Sequence, residues 1–234
     1  MDRTSLNIFA KAPVLGTVKT RMSPPLSPAQ CLRLHRALLD HTLARMRPLI
    51  ASGVEASLCL TGTLQEALKQ AGRMDARGFR VDNQRGAHLG ERLIHALTTR
   101  FRQGFSKVVF VGTDCPGLGS KTVRDAIRAL NRQEVVIGPA RDGGYYLIGF
   151  AACLPQILQG IPWGTPAVYE TTLDRLRRRG IRWKSLGRRA DLDTFGDLKR
   201  FRRRACPGKS PEDGIDPVFF ATIEGLILEA GHDF

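Results

Sequence analysis

Three cations near the start of the chain could bind a phosphate group. Lys11, Lys19 and Arg21 lie in or just beyond a loop that follows an apolar run, residues 6–10. Such a loop meets phosphate in α/β proteins, because backbone N–H groups face the anion while lysine and arginine supply full charge. The alternative is a surface loop with hydrated basic side chains. The stretch matches neither a Walker A loop nor the Gly-x-Gly-x-x-Gly dinucleotide motif.

Four aspartates stand at the boundaries of predicted elements. Asp114 follows a strand, Asp142 precedes a Gly-Gly pair, and Asp191 and Asp193 precede a helix. Because Mg²⁺ takes one or two carboxylates together with substrate phosphates, two of these aspartates could hold a metal-bound diphosphate or triphosphate opposite the basic loop. Asp142 could instead close a turn, and Asp193 could stabilise a helix N-terminus. Asp114 is the hardest to explain structurally, since a carboxylate at the end of a buried strand needs a partner.

Two further features could contact a second substrate. Gly143 and Gly144 would allow a ligand to approach the backbone closely. Trp163 could stack on a ring, although a loop tryptophan can equally cover the core. We therefore keep these residues as acceptor-site candidates beside Asp142.

The elements that must position these residues alternate along the chain. Apolar and β-branched runs predict strands near residues 6–10, 54–61, 79–81, 108–111, 135–138, 145–150 and 181–186. Apolar residues at three- and four-residue steps predict helices near residues 28–47, 65–71, 88–101 and 121–130, within 163–179, after 194, and near the C-terminal end. The alternation predicts an α/β fold with a mostly parallel, twisted sheet between two helical layers, in which residues 6–10 and 108–111 form neighbouring inner strands. Ligands of such sheets bind at the carboxyl ends of the strands, where Lys19, Arg21, Asp114 and Asp142 fall.

Composition restricts the class of protein. The chain has 234 residues, a net charge of +14 and five widely spaced cysteines, which we expect to be reduced thiols. Residues 175–204 hold thirteen basic and three acidic residues, a local balance of +10 that could form a polyanion-binding face. No aromatic residues alternate with these cations, so we do not expect nucleic acid as a partner. The lack of a long apolar run predicts a cytoplasmic protein without membrane association.

The sequence predicts one main domain followed by a linker and a C-terminal helix that packs on it. We assign residues 1–204 to a nucleotide-binding transferase domain and residues 205–234 to a linker and a docked helix. The linker is rich in proline, glycine and acids over residues 206–217, and the helix carries the apolar stripe Phe219, Ile223, Leu226, Ile227 and Ala230. The alternative for this helix is a dimer contact.

Several motifs occur together in a fixed order. They are IFAKAPVLGTVKTRM, Gln84-x-Gly86-x-x-Leu89-Gly90-Glu91-Arg92, VGTDCPGL, GPARDGGYYLIG, a Trp-x-Thr stretch and DLDTFGDL. Over about residues 6–200 the chain thus resembles the bacterial radical-SAM/selenodomain-associated transferases. That family is placed in the glycosyltransferase-A-like superfamily of nucleotide-diphospho-sugar transferases, with molybdopterin and phospholactate guanylyltransferases among its relatives.

The resemblance implies a glycosyltransferase-A-like fold and a set of site residues. It implies a nucleotide site at Ala12, Pro13, Gly16, Lys19, Arg21, Gln84, Gly86, Gly90 and Arg92. It implies Mg²⁺ or Mn²⁺ on Asp114, Asp191 and Asp193. We add Lys19, Arg21 and Asp142 as catalytic candidates.

The motifs leave two chemistries open. Thr20-Arg21 lacks the glycine pattern typical of nucleotidyltransferases, and no lysine follows Pro24-Pro25. Thr113-Asp114-Cys115 lacks the Asp-x-Asp typical of glycosyltransferases. We expect a Mg²⁺-dependent transferase that binds a nucleotide or nucleotide-sugar and a small-molecule acceptor, and we favour nucleotidyl transfer to a phosphorylated acceptor. The alternatives are a glycosyltransferase with a nucleotide-sugar donor and a non-catalytic nucleotide- or polyanion-binding protein.

Overall fold

A seven-stranded sheet forms the middle layer of the computed structural model, which describes residues 2–62, 69, 74–204 and 214–231. Its strands are β1 (Thr4–Ala10), β2 (Glu55–Leu60), β3 (Arg80–Asn83), β4 (Lys107–Gly112), β5 (Val135–Pro139), β6 (Tyr145–Phe150) and β7 (Trp183–Ser185). They lie in the order β3-β2-β1-β4-β6-β5-β7. All neighbouring pairs are parallel except those of β6, which runs antiparallel to both β4 and β5. The predicted α/β class with a mostly parallel sheet is confirmed, and so is the predicted pairing of the first strand with the fourth.

Six α-helices flank this sheet in the described residues. They are α1 (Pro28–Ala51), α2 (Leu89–Arg102), α3 (Ser120–Ala129), α4 (Val168–Arg178), α5 (Phe195–Arg204) and α6 (Pro217–Glu229). The start of α1 follows from its sequence, because Ser27 and Gln30 form a reciprocal capping box around Pro28. The helix continues through Pro48 to Ala51, one turn beyond the predicted end at residue 47. The helix predicted at 65–71 lies outside the described residues, apart from residue 69.

The two faces of the sheet bury alternate residues of the strands, as period-two side-chain orientation requires. On one face, Leu6, Ile8, Val109 and Val111 pack with α1 and α3. On the other face, Val108, Phe110, Ile137, Ile148 and Phe150 pack with α2 and α4. The sheet is therefore the central layer of a three-layer α/β/α arrangement.

A third apolar cluster lies on the outer side of α1. It joins α1 to α5 and α6 through buried side chains, among them Leu34, Leu38, Leu198, Phe219 and Ile223. Helix α6 thus packs on the same body as α1. Most of the predicted linker, residues 205–213, lies outside the described residues, so the division at residue 204 stays a prediction.

The basic segment 175–204 is divided by this architecture. Its first arginines belong to α4, on the same side of the sheet as α2, whereas its last ones belong to α5, on the side of α1. The cations that the sequence concentrates in one stretch are consequently spread over two sides of the molecule. Within the described ranges, no helix combines the length and apolar character needed to cross a membrane.

Candidate functional site

A pocket of about 420 Å³ opens at the edge of the sheet where β1 and β4 end and β6 begins. The first turn of α2 and the loop after β1 complete its walls. One part, which we call the apolar half, is lined by Phe9, Leu89, Leu93, Phe110, Tyr145 and Ile148. The other part, which we call the charged half, is lined by Lys11, Lys19, Arg21, Asp114 and Asp193.

Aromatic rings at the strand ends shape the apolar half. Phe9 and Phe110 lie on neighbouring strands and meet edge to face, with 5.3 Å between ring centroids. Tyr145, the first residue of β6, meets Trp163 edge to face at 5.8 Å. Trp163 itself does not line the pocket: its indole lies so close to Gly90 that a Cβ there would overlap Nε1. The structure thus places this acceptor candidate between α2 and β6.

Lys19 is the centre of the charged half. Its side chain is only 5% exposed; its ammonium donates hydrogen bonds to the Leu192 carbonyl at 2.6 Å and to Asp193 Oδ1 at 3.3 Å, and it forms an ion pair with Asp114 Oδ1 at 2.7 Å. Three oxygens from two separate loops therefore surround one ammonium. Lys19 also has a φ of +50°, the one positive value outside glycine among the described residues.

The two carboxylates reach Lys19 because their loops are tied together. Asp114 lies two residues beyond β4, and its carbonyl accepts a hydrogen bond from the Leu192 amide at 2.8 Å. Asp193 is held from the other side by the start of α5, where the Asp197 carboxylate accepts from the Thr194 amide at 2.8 Å and its hydroxyl at 2.6 Å. The Thr194 hydroxyl in turn accepts a hydrogen bond from the Asp197 amide at 3.3 Å, so the two residues cap the start of α5.

Asp191 and Asp142 lie near this centre without lining the pocket. Burial, reinforced by the negative charges of Asp142, Asp193 and Asp114, raises the pKa of Asp191 to about 8, and Lys19 opposes the rise. Asp142 accepts a hydrogen bond from the Gly144 amide at 2.9 Å, which closes a turn. The negative charges around Asp191 thus favour its protonated form, and the buried ammonium of Lys19 faces the carboxylates of Asp114 and Asp193.

The other residues implied for nucleotide binding divide into two groups. Gln84 and Arg92 line the pocket. Gln84 donates to the carbonyls of Ala10 (2.9 Å) and Cys59 (2.8 Å), so it also holds the ends of β1 and β2 together. Arg92 donates to the Gly86 carbonyl at 2.9 Å and so fixes the loop before α2. The residues that do not line it are Ala12, Pro13, Gly16, Gly86 and Gly90.

Gly143 and Gly144 have a visible structural role. Gly143 has a φ of +92°, and a Cβ there would overlap the backbone of Pro166. Its carbonyl accepts a hydrogen bond from the Tyr169 amide at 2.8 Å. Neither glycine lines the pocket, so their contact with an acceptor stays a prediction.

Sequence reasoning missed several residues of the pocket, both polar and apolar. His35 of α1 lines it, and the ring Nε2 donates to the Lys11 carbonyl at 3.0 Å. Burial lowers the pKa of His35, while the bond to that carbonyl and the charge of Asp114 oppose the change. The sequence signal that could have identified His35 was its position on the apolar stripe of α1, where a polar residue is unusual. For Phe9 and Phe110 the signal was their place in buried strands directly before the basic loop and the Asp114 motif.

The carboxylates fit a cation that arrives with phosphates. Across the part of the chain that the structure describes, no three His, Cys, Asp or Glu side chains are grouped to hold a metal by themselves. Asp114 and Asp193, however, converge on one positive charge and keep 47% and 31% of their side chains exposed. Two hard, partly hydrated carboxylates suit Mg²⁺ or Mn²⁺, which keep several waters and complete their coordination with substrate phosphates.

Known structures share this fold. A protein from Desulfovibrio desulfuricans G20, provisionally named a nucleotide-diphospho-sugar transferase, is 27% identical, with a TM-score of 0.85 over 98% of this chain and 99% of that one. CMP:2-keto-3-deoxy-manno-octonic acid synthetase in complex with CTP is 13% identical, with a TM-score of 0.55 over 86% and 98% of the two chains. Rv0371c from Mycobacterium tuberculosis H37Rv in complex with manganese is 18% identical, with a TM-score of 0.52 over 88% and 100%.

The fold is therefore that of the nucleotide-diphospho-sugar transferases and cytidylyltransferases, which confirms the superfamily that the sequence motifs implied. The link to radical-SAM proteins stays a prediction. No curated protein matches the sequence. Residues 42–165, just over half of the chain, match the model of a family described as uncharacterized proteins conserved in bacteria, DUF2064. The chain belongs to this family.

Proposed function

We propose that this protein is a transferase that depends on a divalent metal and binds a nucleotide in the pocket at the ends of β1 and β4. The apolar half would receive the base, and the charged half would receive the phosphates. The observation that supports this most strongly is the juxtaposition itself: an aromatic slot lies beside cations and two converging carboxylates within one pocket of about 420 Å³. That volume is in the range of small-molecule and cofactor sites.

The cations of the charged half differ in their availability to a ligand. Arg21 is 72% exposed and its nearest carboxylate oxygen, on Asp193, is 3.7 Å away. Lys11 is also exposed at the mouth. Because an exposed guanidinium can turn to phosphate and donate two parallel hydrogen bonds, Arg21 is the better placed of the two catalytic cations in this structure. Lys19 is engaged with carboxylates, and its contact with phosphate stays a prediction.

Asp114 and Asp193 would hold the metal, with Asp191 as a third candidate. A divalent ion bound there would offset the negative charge of the phosphates and of the leaving group. The chain's own residues would do the rest. The apolar half excludes water from the base, and Arg21 orients a phosphate and stabilises the charge that develops on it.

The reaction we favour is nucleotidyl transfer from a nucleoside triphosphate to a small phosphorylated acceptor. An acceptor oxygen attacks the α-phosphorus, the bond to the bridging oxygen breaks, and pyrophosphate leaves. The support is the number of cations around the pocket, which exceeds what a glycosyl transfer requires. The fold, shared with a synthetase that was crystallised with CTP, accommodates such chemistry.

Glycosyl transfer from a nucleotide-sugar is the second candidate. It is favoured by the similarity to the D. desulfuricans protein, which covers nearly the whole of both chains. In this reaction Asp142 would act as the base for the acceptor hydroxyl. The negative charge of Asp142 contributes to the raised pKa of Asp191, which supports a position close to the site.

Binding is tested first, by thermal shift with a panel of nucleoside triphosphates and nucleotide-sugars in Mg²⁺ and in EDTA. We expect a Tm increase with one class of ligand in Mg²⁺, and a loss of at least tenfold in affinity in Asp114→Asn. Asp125→Asn is the matched control, since Asp125 is a half-buried aspartate of α3 whose side chain is as exposed as that of Asp114 but lies outside the pocket. Equal ligand binding with and without metal, together with normal binding by Asp114→Asn, would instead identify a non-catalytic polyanion-binding protein.

Turnover then separates the two reactions. Release of pyrophosphate from a triphosphate, dependent on a phosphorylated acceptor, would support nucleotidyl transfer. Release of a nucleoside diphosphate from a nucleotide-sugar, with no pyrophosphate from any triphosphate, would reverse the assignment.

A further inference from the structure

The ammonium of Lys19 lies where the two proposed metal-binding carboxylates meet. Asp114 Oδ1 is 2.7 Å and Asp193 Oδ1 is 3.3 Å from its nitrogen. We infer that Lys19 is a placeholder cation: it neutralises these carboxylates in the free protein, and its ammonium moves to a phosphate of the ligand when a divalent cation binds them. The inference rests on the proposed function, because it takes the metal and the phosphate from there.

Charge balance is the first argument for an exchange. Asp114 and Asp193 present two carboxylates to the one buried ammonium of Lys19, and the guanidinium of Arg21, 3.7 Å from Asp193, is exposed to solvent. A second cation near these two carboxylates would therefore be electrostatically stabilised. On the same two oxygens, however, an ammonium and a divalent cation repel each other, so the carboxylates hold one or the other.

The chemistry of the lysine side chain makes the movement feasible. Lysine carries a compact charge with three rotatable donors on a flexible four-carbon stem, unlike the rigid fork of arginine. Lys19 lines the pocket that would contain the phosphates, so its nitrogen need not cross a packed core to reach them. Two of its three partners are partly exposed carboxylates, which water can hydrate as it leaves.

The backbone at Lys19 stays in place during such an exchange. Its carbonyl accepts from the Met22 amide at 2.9 Å, in a short 3₁₀ turn over Thr20–Met22. Met22 is fully buried in the cluster formed by α1, α5 and α6. Only the side chain would have to change conformation, which distinguishes the exchange from movement of the whole loop.

Two other roles for Lys19 predict different outcomes. A permanent structural cross-link would leave metal affinity unchanged or lower when the lysine is replaced, because the carboxylates would lose their alignment. A permanent phosphate ligand would lose nucleotide affinity without any gain in metal affinity. A placeholder alone predicts changes of opposite sign for the two ligands.

The experiment measures Mn²⁺ binding without nucleotide, by the electron paramagnetic resonance of free Mn²⁺, in the wild type and in Lys19→Met. We expect Lys19→Met to bind Mn²⁺ about tenfold more tightly or better, since a competing cation is gone. Nucleotide binding in the presence of Mg²⁺ should weaken by tenfold or more. The matched control is Lys121→Met, which removes an exposed lysine 3.3 Å from Asp125 on α3 and should change neither affinity.

A folded Lys19→Met variant with unchanged or weaker Mn²⁺ binding overturns the inference. If this variant does not fold, Lys19→Gln retains a donor for the Leu192 carbonyl without the charge and takes the same test. The outcome is separable from that of the proposed function. If Lys19→Met binds Mn²⁺ more tightly but the protein binds no nucleotide, the placeholder role is supported and the proposed function is refuted. If nucleotide binding depends on metal but Lys19→Met gains no Mn²⁺ affinity, the proposed function is supported and the placeholder role is refuted.

Discussion

Two buried cations, Arg100 and Lys19, join separate parts of this molecule in opposite ways. Arg100 of α2 is 8% exposed and donates to groups on three strands: Asn7 Oδ1 at 2.9 Å, Ser57 Oγ at 2.8 Å and Asp82 Oδ2 at 2.7 Å. Lys19 is 5% exposed and bonds mainly to carboxylates at a pocket mouth. The first is a rigid fork among mostly neutral partners, and the second is a point charge among anions.

The difference shows how burial alone fails to separate structural from functional charges. The partners of Arg100 are polar groups of β1, β2 and β3 that would lose hydrogen bonds without it. The partners of Lys19 are carboxylates that water or another cation can satisfy. We therefore expect replacement of Arg100 to change mainly the free energy of unfolding, and replacement of Lys19 to change mainly the affinity for ligands.

The largest expected effect is on Arg100. Arg100→Met should lower the free energy of unfolding by about 3–5 kcal/mol, because it leaves the Asp82 carboxylate and two amide or hydroxyl groups without their buried partner. Urea unfolding measures this. The control is Arg80→Met, which removes an exposed guanidinium 2.9 Å from the same Asp82 and should change stability by less than about 1 kcal/mol. Similar losses in the two variants would contradict the structural role of Arg100.

A smaller loss is expected for Lys19. In EDTA, Lys19→Met should be destabilised by about 1–2 kcal/mol, the contribution of hydrogen bonds to a charged group whose partners become hydrated. Added Mn²⁺ should raise its unfolding midpoint more than that of the wild type. A loss as large as that of Arg100→Met, without recovery in Mn²⁺, would remove the contrast between the two cations.

His41 extends the comparison to a buried base that is neutral. Burial lowers its pKa, Arg45 adds to the shift, and both the hydrogen bond to the Pro116 carbonyl (3.0 Å) and Asp216 oppose it. Since the unfolded chain binds the proton more readily, His41 should reduce stability as pH falls below about 6.5. In His41→Gln, the urea midpoint of unfolding should therefore fall less between about pH 6.5 and pH 5 than it does in the wild type.

The control for this pH dependence is His95→Gln, an exposed position of α2. It should leave the slope unchanged. Part of the slope should survive in His41→Gln, because the pKa of His35 is lowered as well. An unaltered slope in His41→Gln would show that the ring does not titrate with unfolding.

The smallest effect on stability is expected for Arg21, an exposed cation beside the same Asp193. Arg21→Gln should change the free energy of unfolding by less than about 0.5 kcal/mol, since the exposed guanidinium is 3.7 Å from the carboxylate. Nucleotide affinity in Mg²⁺ should fall about tenfold, the equivalent of one charge-assisted hydrogen bond. Unchanged affinity would place the phosphates elsewhere.

Much of this arrangement is predictable from the sequence, for identifiable reasons. The strand at residues 108–111 and its neighbour at 6–10 are continuous apolar runs, which is the pattern of strands buried on both faces. Their ends bring the first loop and Asp114 to one edge, as the sheet rule requires. The orientation of β6 was outside the reach of this reasoning, because apolar periodicity is the same in both strand directions.

The details of the site depend on contacts between distant segments. The sequence predicts that Lys19 faces the aspartates across the site. It does not predict that Lys19 lies between them, because that position depends on a hydrogen bond to the Leu192 carbonyl, more than 170 residues away in the sequence. Trp163 is available to a ligand in the sequence, whereas in the structure its ring packs against Gly90. The basic run 175–204 is continuous as a sequence, but packing assigns its two ends to different layers.

The bond from Lys19 to the 192–193 loop has a consequence for synthesis of the chain. Lys19 and Asp193 are separated by 174 positions, so the ribosome makes the basic loop long before its acidic partner. N-terminal parts of a chain generally begin to fold first during translation. The lysine of the nascent protein can therefore pair with Asp114 once β4 is complete, but it meets Asp193 only after all seven strands have been made. A chain that stops before residue 193 retains the basic loop but lacks half of the carboxylate pair.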